Sequence, residues 1–419
     1  MFKNLPKPNF PNALLLVILG SVFLSASLTE LLPVPRVCML FVDVAWGLLF
    51  LLLIKNASEF SRASLSVKLL LGVILAFFLS SVMGFLFGGQ SPLLYAWGLR
   101  NNLCFYVFFF GCVLFLPGEQ LENCLKGLDI LFWIHFLVAV FQFVVLGKSQ
   151  DFLGGIFGTS IGCNAFANVF QMIIVTRSIL RYFNHEEGTL LCLAKCGAAL
   201  IVAALGEIKV FFFEFAAIAL LAMLFTRFSK RKIVLMAGGA VGIVLAILLL
   251  DAITPGWASW FRPSRIWAYV VSSGGYTGNG DMNRLTAIPL SWNTFLQTLP
   301  QRLFGLGLGN CDSSPIYFLT SAFYNDYAYL RYNWFTSSMI LLETGLIGTL
   351  LYLSFFVIIF FISLYQLRRG TGDPLLYQMA MVLTPMCLVL FLFDSSMRTE
   401  PAYMMYFALA LPFVRKQNP

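Results

Sequence analysis

Apolar runs of bilayer-spanning length recur along this chain, and no other feature restricts its fold so strongly. A helix needs about 20 predominantly apolar residues to cross the hydrocarbon core of a membrane. Runs of that kind lie near residues 12–32, 37–54, 66–87, 99–116, 128–146, 162–181, 189–206, 209–226, 233–253, 336–365, 376–394 and 399–414, about twelve in all. The chain is 59% hydrophobic and 11% charged, where a soluble domain carries about 25% charged residues. Too little polar surface remains to cover it in water, so lipid is the solvent it suits. The expectation is an all-α polytopic membrane protein of about twelve transmembrane helices with one long extracytoplasmic loop. Residues 1–253 would hold about nine spans, 254–335 the loop with short amphipathic helices, and 336–419 about three spans. The first run is too long for a cleavable signal peptide and lacks a small-residue cleavage site, so none is expected. The segment Gly88 to Arg100 reads as a short amphipathic piece lying in the outer interface.

Charge sets the expected orientation. With the N-terminus in the cytoplasm, the inner segments hold Lys3, Lys7, Lys55, Arg62, Lys68, Lys126, Arg177, Arg181, Arg227, Lys230, Arg231, Lys232, Arg368, Arg369, Arg415 and Lys416. The short outer segments hold Arg36, Arg100, Lys148, Lys209 and Arg398. The excess inside places both termini in the cytoplasm and residues 254–334 outside; long loops escape the rule. The net charge of +8 is therefore a matter of membrane orientation, and no nucleic-acid partner is expected.

Several chemistries are excluded. The two histidines are His135, mid-span, and His185, in an inner turn; neither reaches the long loop, so no histidine base or zinc site is expected there. No Walker A, GxSxG or dinucleotide fingerprint occurs. No cofactor and no metal are expected, and the substrate must arrive already activated. The nine cysteines contain no CxxC pair and lie mostly in apolar runs, with Cys311 alone clearly in the loop, so no disulfide framework is implied.

What remains is cationic. The loop holds Arg262, Arg265, Arg284, Arg302 and Arg331 against Asp281, Asp312 and Asp326. Arginine grips phosphate through paired hydrogen bonds and stays charged; the plainer reading is that outer arginines bind lipid headgroups. Arg284 precedes a stretch in which Leu285, Ile288, Trp292, Phe295, Leu296 and Leu299 fall on one face at helical spacing. It would then open an amphipathic helix whose free amides add to anion affinity. At the junction of the seventh and eighth runs stand Glu207 and Lys209, then Glu214. Either Glu207 and Lys209 pair across a tight outer turn, or Lys209 meets a lipid-linked phosphate. Asp43 and Lys195, also within runs, would simply pair with other helices. Glycines 305, 307 and 309 would let backbone pass close to a ligand or helix. The aromatic stretch from Tyr317 to Phe335, Tyr332 included, reads as an interfacial belt or as a stacking surface for sugar rings.

One long loop before the last three spans, with Phe304-Gly-Leu-Gly-Leu-Gly309 in it and Glu343-Thr-Gly345-Leu-Ile-Gly348 in the following span, resembles the O-antigen ligase/polymerase superfamily. The segment GEIKVFFFEF is similar to one in its exopolysaccharide and capsule polymerases. The resemblance implies a GT-C-like glycosyltransferase in the bacterial cytoplasmic membrane. Its substrates would be undecaprenyl-pyrophosphate-linked glycan donors and acceptors, and a chain-length regulator and a flippase its partners. It implies that Arg284 and Lys209 hold the pyrophosphate; Arg262, Arg265, Arg302, Arg331, Tyr332 and Glu207 are the further candidates for contact with the substrate. The ligases carry His-Asn before the GxxG; here Trp334 and Phe335 line up with it, which favours a Wzy-like polymerase over a ligase. A general base is open among Asp281, Asp312 and Asp326. A flippase for lipid-linked glycans is the rival of a different class, but internal symmetry and a charged path through the spans are not visible.

Overall fold

The computed structural model describes residues 9–30, 41–227, 229–253, 255–271, 276–277 and 279–414. Lys3, Lys7, Arg36, Cys38, Arg415, Lys416 and much of the glycine-rich run at 272–280 lie outside them, as do the ends of the first two apolar runs. The described residues are helical, with one isolated antiparallel bridge between Tyr276 and Met282. The helices are α1 (Phe10–Glu30), α2 (Phe41–Lys55), α3 (Ala57–Arg62), α4 (Leu65–Gly88), α5 (Pro92–Phe115), α6 (Gly118–Val144), α7 (Cys163–Phe183), α8 (Thr189–Leu205), α9 (Lys209–Leu224) and α10 (Lys230–Ile253). The long connection carries α11 (Pro263–Val270), α12 (Ala287–Thr294), α13 (Leu299–Phe304) and α14 (Ala322–Tyr327), and α15 (Thr336–Arg369), α16 (Pro374–Phe393) and α17 (Ala402–Ala410) follow.

Among the described residues seven helices are long and apolar enough to cross a membrane: α4, α5, α6, α7, α15, α16 and the Lys230–Leu248 part of α10. This is the build of an all-helical polytopic membrane protein, since only a helix satisfies every backbone polar group within its own segment in lipid. Within the spanning window 83% of α7 is buried against 17% of α10, so α7 is the central helix and α10 lies at the rim. The interior is aromatic. Tyr106 of α5 meets Phe355 of α15 and Tyr406 of α17 edge-on, at 5.3 and 5.4 Å between centroids, the T-shaped geometry that the ring quadrupole favours. Leu79 and Leu86 on α4 are exposed, as lipid-facing side chains would be.

Local chemistry explains where helices start. The Ser64 and Ser91 side chains accept backbone N–H bonds at the head of α4 and α5, and the Asp373 carboxylate does so at α16, each satisfying an N–H with no partner in the first turn. Pro92 suits the first turn of α5 because its missing N–H would go unused there. The segment ending at Arg100 is thus no separate interfacial piece: α5 runs unbroken from Pro92 to Phe115. Arg100 is tolerated inside it because Asp43 of α2 lies 2.6 Å away.

Two further expectations change. The stretch after Arg284 is not one amphipathic helix. Thr298 and Gln301 form a capping box that starts α13 afresh, so Ala287, Ser291 and Leu296 point inward while Leu285 and Leu299 are exposed. Helix α15 is two helices merged across Gly345, which sits at φ 64° and ψ −164°. The break releases carbonyls, and the glycine run of the connection fills the place. Leu306 N–H donates to the Leu342 carbonyl at 2.7 Å, and Gly307 N–H to that of Glu343 at 3.1 Å. A side chain on Gly345 would strike the backbone of Leu303 and Phe304. The long connection is thereby keyed to the bundle beside α4, α5 and α15.

Candidate active site at the loop end of the bundle

Helix α9 begins at Lys209 after a tight turn in which Glu207 takes φ 50°. The Lys209 Nζ lies 3.9 Å from the Glu207 carboxylate and 4.0 Å from the ring centroid of Trp260. Trp260 belongs to a short 3-10 turn, Trp257–Phe261, anchored where Phe261 packs edge-on against Phe212 of α9 at 5.6 Å. Glu207 also accepts a hydrogen bond from Gln150 at 3.1 Å. A partly exposed ion pair contributes only about 0–1 kcal/mol, whereas a hydrogen bond to a charged group contributes about 1.5–3 kcal/mol. The Glu207–Lys209 pair therefore exists, yet it is too weak to withhold the ammonium from an arriving anion.

Arg284 reaches the same place from the connection. Its turn is set by buried Asn283, whose side-chain oxygen accepts the Arg284 N–H at 2.7 Å and whose amide donates to the Ala268 carbonyl at 3.3 Å. Met282 N–H is held on the Leu330 carbonyl at 2.8 Å. The Arg284 guanidinium lies 4.5 Å from the centroid of Phe393, the last residue of α16. Its charge acts on Lys209 and on Asp394.

Asp394 caps the end of α16. Its backbone carbonyl accepts both the N–H and the Oγ1 of Thr336, at 2.8 and 2.9 Å, and its carboxylate accepts the Ser396 N–H at 2.7 Å. Burial pushes its carboxyl up to about 6, against the hydrogen bonds from Ser396 and the charge of Arg284, which pull it down. Glu214 of α9 stands within electrostatic reach, fully buried, with Asn168 of α7 beside it. Two cations, one at a helix start and one in a turn, thus face two carboxyls at the end of the bundle that carries the long connection.

The other residues singled out in the sequence are placed differently. Arg262 and Arg265 are exposed at the head of α11 and make no ion pair among the described residues. Arg302 is spent locally, donating to the Leu296 carbonyl at 3.0 Å and lying 5.4 Å over Trp292. Arg331 is half-exposed, 4.0 Å from Asp281 and 5.1 Å from the Trp334 centroid. Asp326 is exposed. Tyr332 is no substrate contact: it is buried, its hydroxyl donates to the Cys311 carbonyl at 2.7 Å, and Phe323 packs on its ring. The aromatic stretch folds in on itself around that ring, leaving Tyr317, Phe318 and Tyr329 exposed.

Asp312 is committed to a second network. Arg398 bridges Asp312 at 3.2 Å and buried Glu343 at 3.0 Å, and Asn101 donates to Asp312 at 2.8 Å. Burial opposes the Arg398 charge, but Glu343 and Asp312 outweigh it and raise the guanidinium above its ordinary range. Glu343 also accepts the Gly309 N–H at 3.0 Å, Gln90 donates to the Leu308 carbonyl at 2.8 Å, and Trp97 to that of Ser313 at 3.1 Å. These contacts bind the glycine run to α4, α5 and α15, so the network holds the connection that delivers Arg284. Sequence reasoning missed Asp394 and read Arg398 only as an outer charge. The signal was the run Asp394 to Glu400, two carboxylates and one arginine in a short interhelical turn that solubility alone does not require.

At the opposite end, Asp129, Arg177, Arg181, Glu187 and Lys195 form a buried ion-pair network, with Lys195 at 3.0 Å from Asp129 and 3.2 Å from Glu187. Lys195 and Asp43 therefore each pair with another helix. A cavity of about 640 Å³ opens there, lined in part by Arg177, Arg181, Glu186 and Asp373; its arginines are already paired. His135 is buried within α6, 3.3 Å from Gln171. Among the described residues, no three His, Cys, Asp or Glu side chains gather as a metal site. Comparison with known proteins leaves the site to be read from its own chemistry: no protein-family model matches the chain, and no curated protein matches it.

Proposed function

We propose that the chain is a Wzy-like polysaccharide polymerase, a metal-independent glycosyltransferase of the bacterial cytoplasmic membrane. In this reading about twelve helices span the bilayer, both termini are cytoplasmic, and the long connection lies on the outer face. The acceptor and donor are repeat units linked to undecaprenyl pyrophosphate. An acceptor sugar hydroxyl attacks the anomeric carbon of the donor. The bond from that carbon to the pyrophosphate oxygen breaks, and the oxygen keeps the electron pair. Since the leaving group carries its own activation, the protein has to align the two sugars and stabilise charge as it builds on the pyrophosphate.

The observation that carries this reading is the meeting of Lys209 and Arg284. One stands at the start of α9 and the other in the distant connection, yet the charge of Arg284 acts on Lys209. A doubly phosphorylated lipid is an anion suited to two cations gathered where bundle and connection meet. The exposed Tyr317, Phe318 and Tyr329 offer apolar ring faces on the same connection against which sugars stack.

Purified protein in detergent, given only lipid-linked repeat units, tests the assignment. Longer glycans still attached to the polyprenyl carrier are expected. Unchanged glycans overturn polymerisation and favour transport; glycans released onto another acceptor favour a ligase.

A further inference from the structure

We propose that Asp394 is the group that takes the proton from the acceptor hydroxyl. The assignment rests on the polymerase reading above and deepens it, since a glycosyl transfer that forms a bond from a hydroxyl oxygen must dispose of a proton. None of the three aspartates that the sequence nominated suits the task. Asp312 is shared between Arg398 and Asn101, Asp281 lies beside Arg331, and Asp326 is exposed on α14.

Asp394 meets the requirements one by one. It follows Phe393, on whose ring Arg284 rests, so it adjoins the cation assigned to the leaving group. Its backbone is fixed twice by Thr336, and one carboxylate oxygen is fixed by Ser396 N–H at 2.7 Å, which leaves the other oxygen to accept a proton. The carboxyl is half-buried, hence reachable by a substrate while shielded from bulk water. Glu214 of α9, within electrostatic reach of it, is 1% exposed. Arg284, from the turn before α12, acts on Asp394 and on Lys209 at the start of α9, with Glu207 next to the lysine. Burial holds Asp394 up near 6, closer to the working pH of a base than an ordinary aspartate.

The balance is complete. The acceptor oxygen bonds to the anomeric carbon as the bond from that carbon to the pyrophosphate oxygen breaks. The electron pair leaves with the pyrophosphate beside Lys209 and Arg284. The acceptor proton passes to Asp394 and then to water.

The test is steady-state elongation by purified protein with lipid-linked repeat units, together with donor binding. Asp394→Asn keeps the size of the side chain and its ability to accept from Ser396. It is expected to lower kcat about 100-fold or more, the range of a lost general base, while donor affinity stays within about threefold. An Asp394→Asn protein that elongates at the wild-type rate overturns this assignment alone, as does one that loses donor binding instead of rate. A wild-type protein that elongates nothing overturns the polymerase reading and this assignment with it.

Discussion

The Arg284 guanidinium rests 4.5 Å over the ring of Phe393, which ties the long connection to the end of α16, one residue before Asp394. A loop arginine is thereby held against the helix bundle, beside the lysine that opens α9. Arg284→Ala is expected to abolish polymer synthesis in cells while the protein still reaches the membrane. Arg284→Lys restores charge but not the planar fork and is expected to recover only part of it. Immunoblotting of membranes alongside glycan length on gels checks both.

Lys209→Met should weaken the donor, with KM rising about tenfold or more, since a charge-assisted hydrogen bond contributes about 1.5–3 kcal/mol. Lys209→Arg should be milder. Substrate titration of the purified variants checks this, and an unchanged KM for Lys209→Met removes the lysine from the donor site.

Gly345→Ala should release the connection from the bundle. The residue sits at φ 64°, and a Cβ there meets the backbone of Leu303, Phe304 and Gly305. The strain alone costs about 1–3 kcal/mol. A lower melting temperature in detergent and faster proteolysis within residues 276–334 are the expected results.

Arg398→Met should destabilise the protein by about 3–5 kcal/mol, because it leaves buried Glu343 without its cation. Adding Glu343→Met removes the stranded carboxylate and should regain a large part of the loss. Thermal unfolding of the single and double variants measures the difference.

Asp394 gives a pH dependence of stability opposite to that of a salt-bridged carboxylate. Its carboxyl holds its proton up to about 6 in the folded chain, against an ordinary value of 3.8. The folded state therefore binds more protons than the unfolded state between those values, and stability falls as pH rises through them. Asp394→Asn should flatten the change in melting temperature between pH 4 and 6.

The helical build was legible because apolar length is a property of local sequence: a helix occupies the described part of every apolar run. Interruptions were less so. The start at Pro92, the restart at Thr298 and the break at Gly345 depend on caps and on the connection packed into the break, while the apolar pattern runs straight through them. In the site, Lys209 and Arg284 stood out as charges beside apolar runs, but nothing in the order of residues brings them together. Asp394 went unread, and Arg398 was read only as an outer charge, because a short turn between helices does not say which partners will bury it. Tyr332 misled for the same reason: its neighbours make the stretch look like a surface, and only the fold turns that ring inward.

The most direct test of the central claim is the affinity of the purified protein for undecaprenyl pyrophosphate without any sugar. If Lys209 and Arg284 hold the two phosphates, the Lys209→Ala/Arg284→Ala double variant binds about 100-fold or more weakly than wild type at matched ionic strength. Equal affinity in the folded double variant would contradict the account.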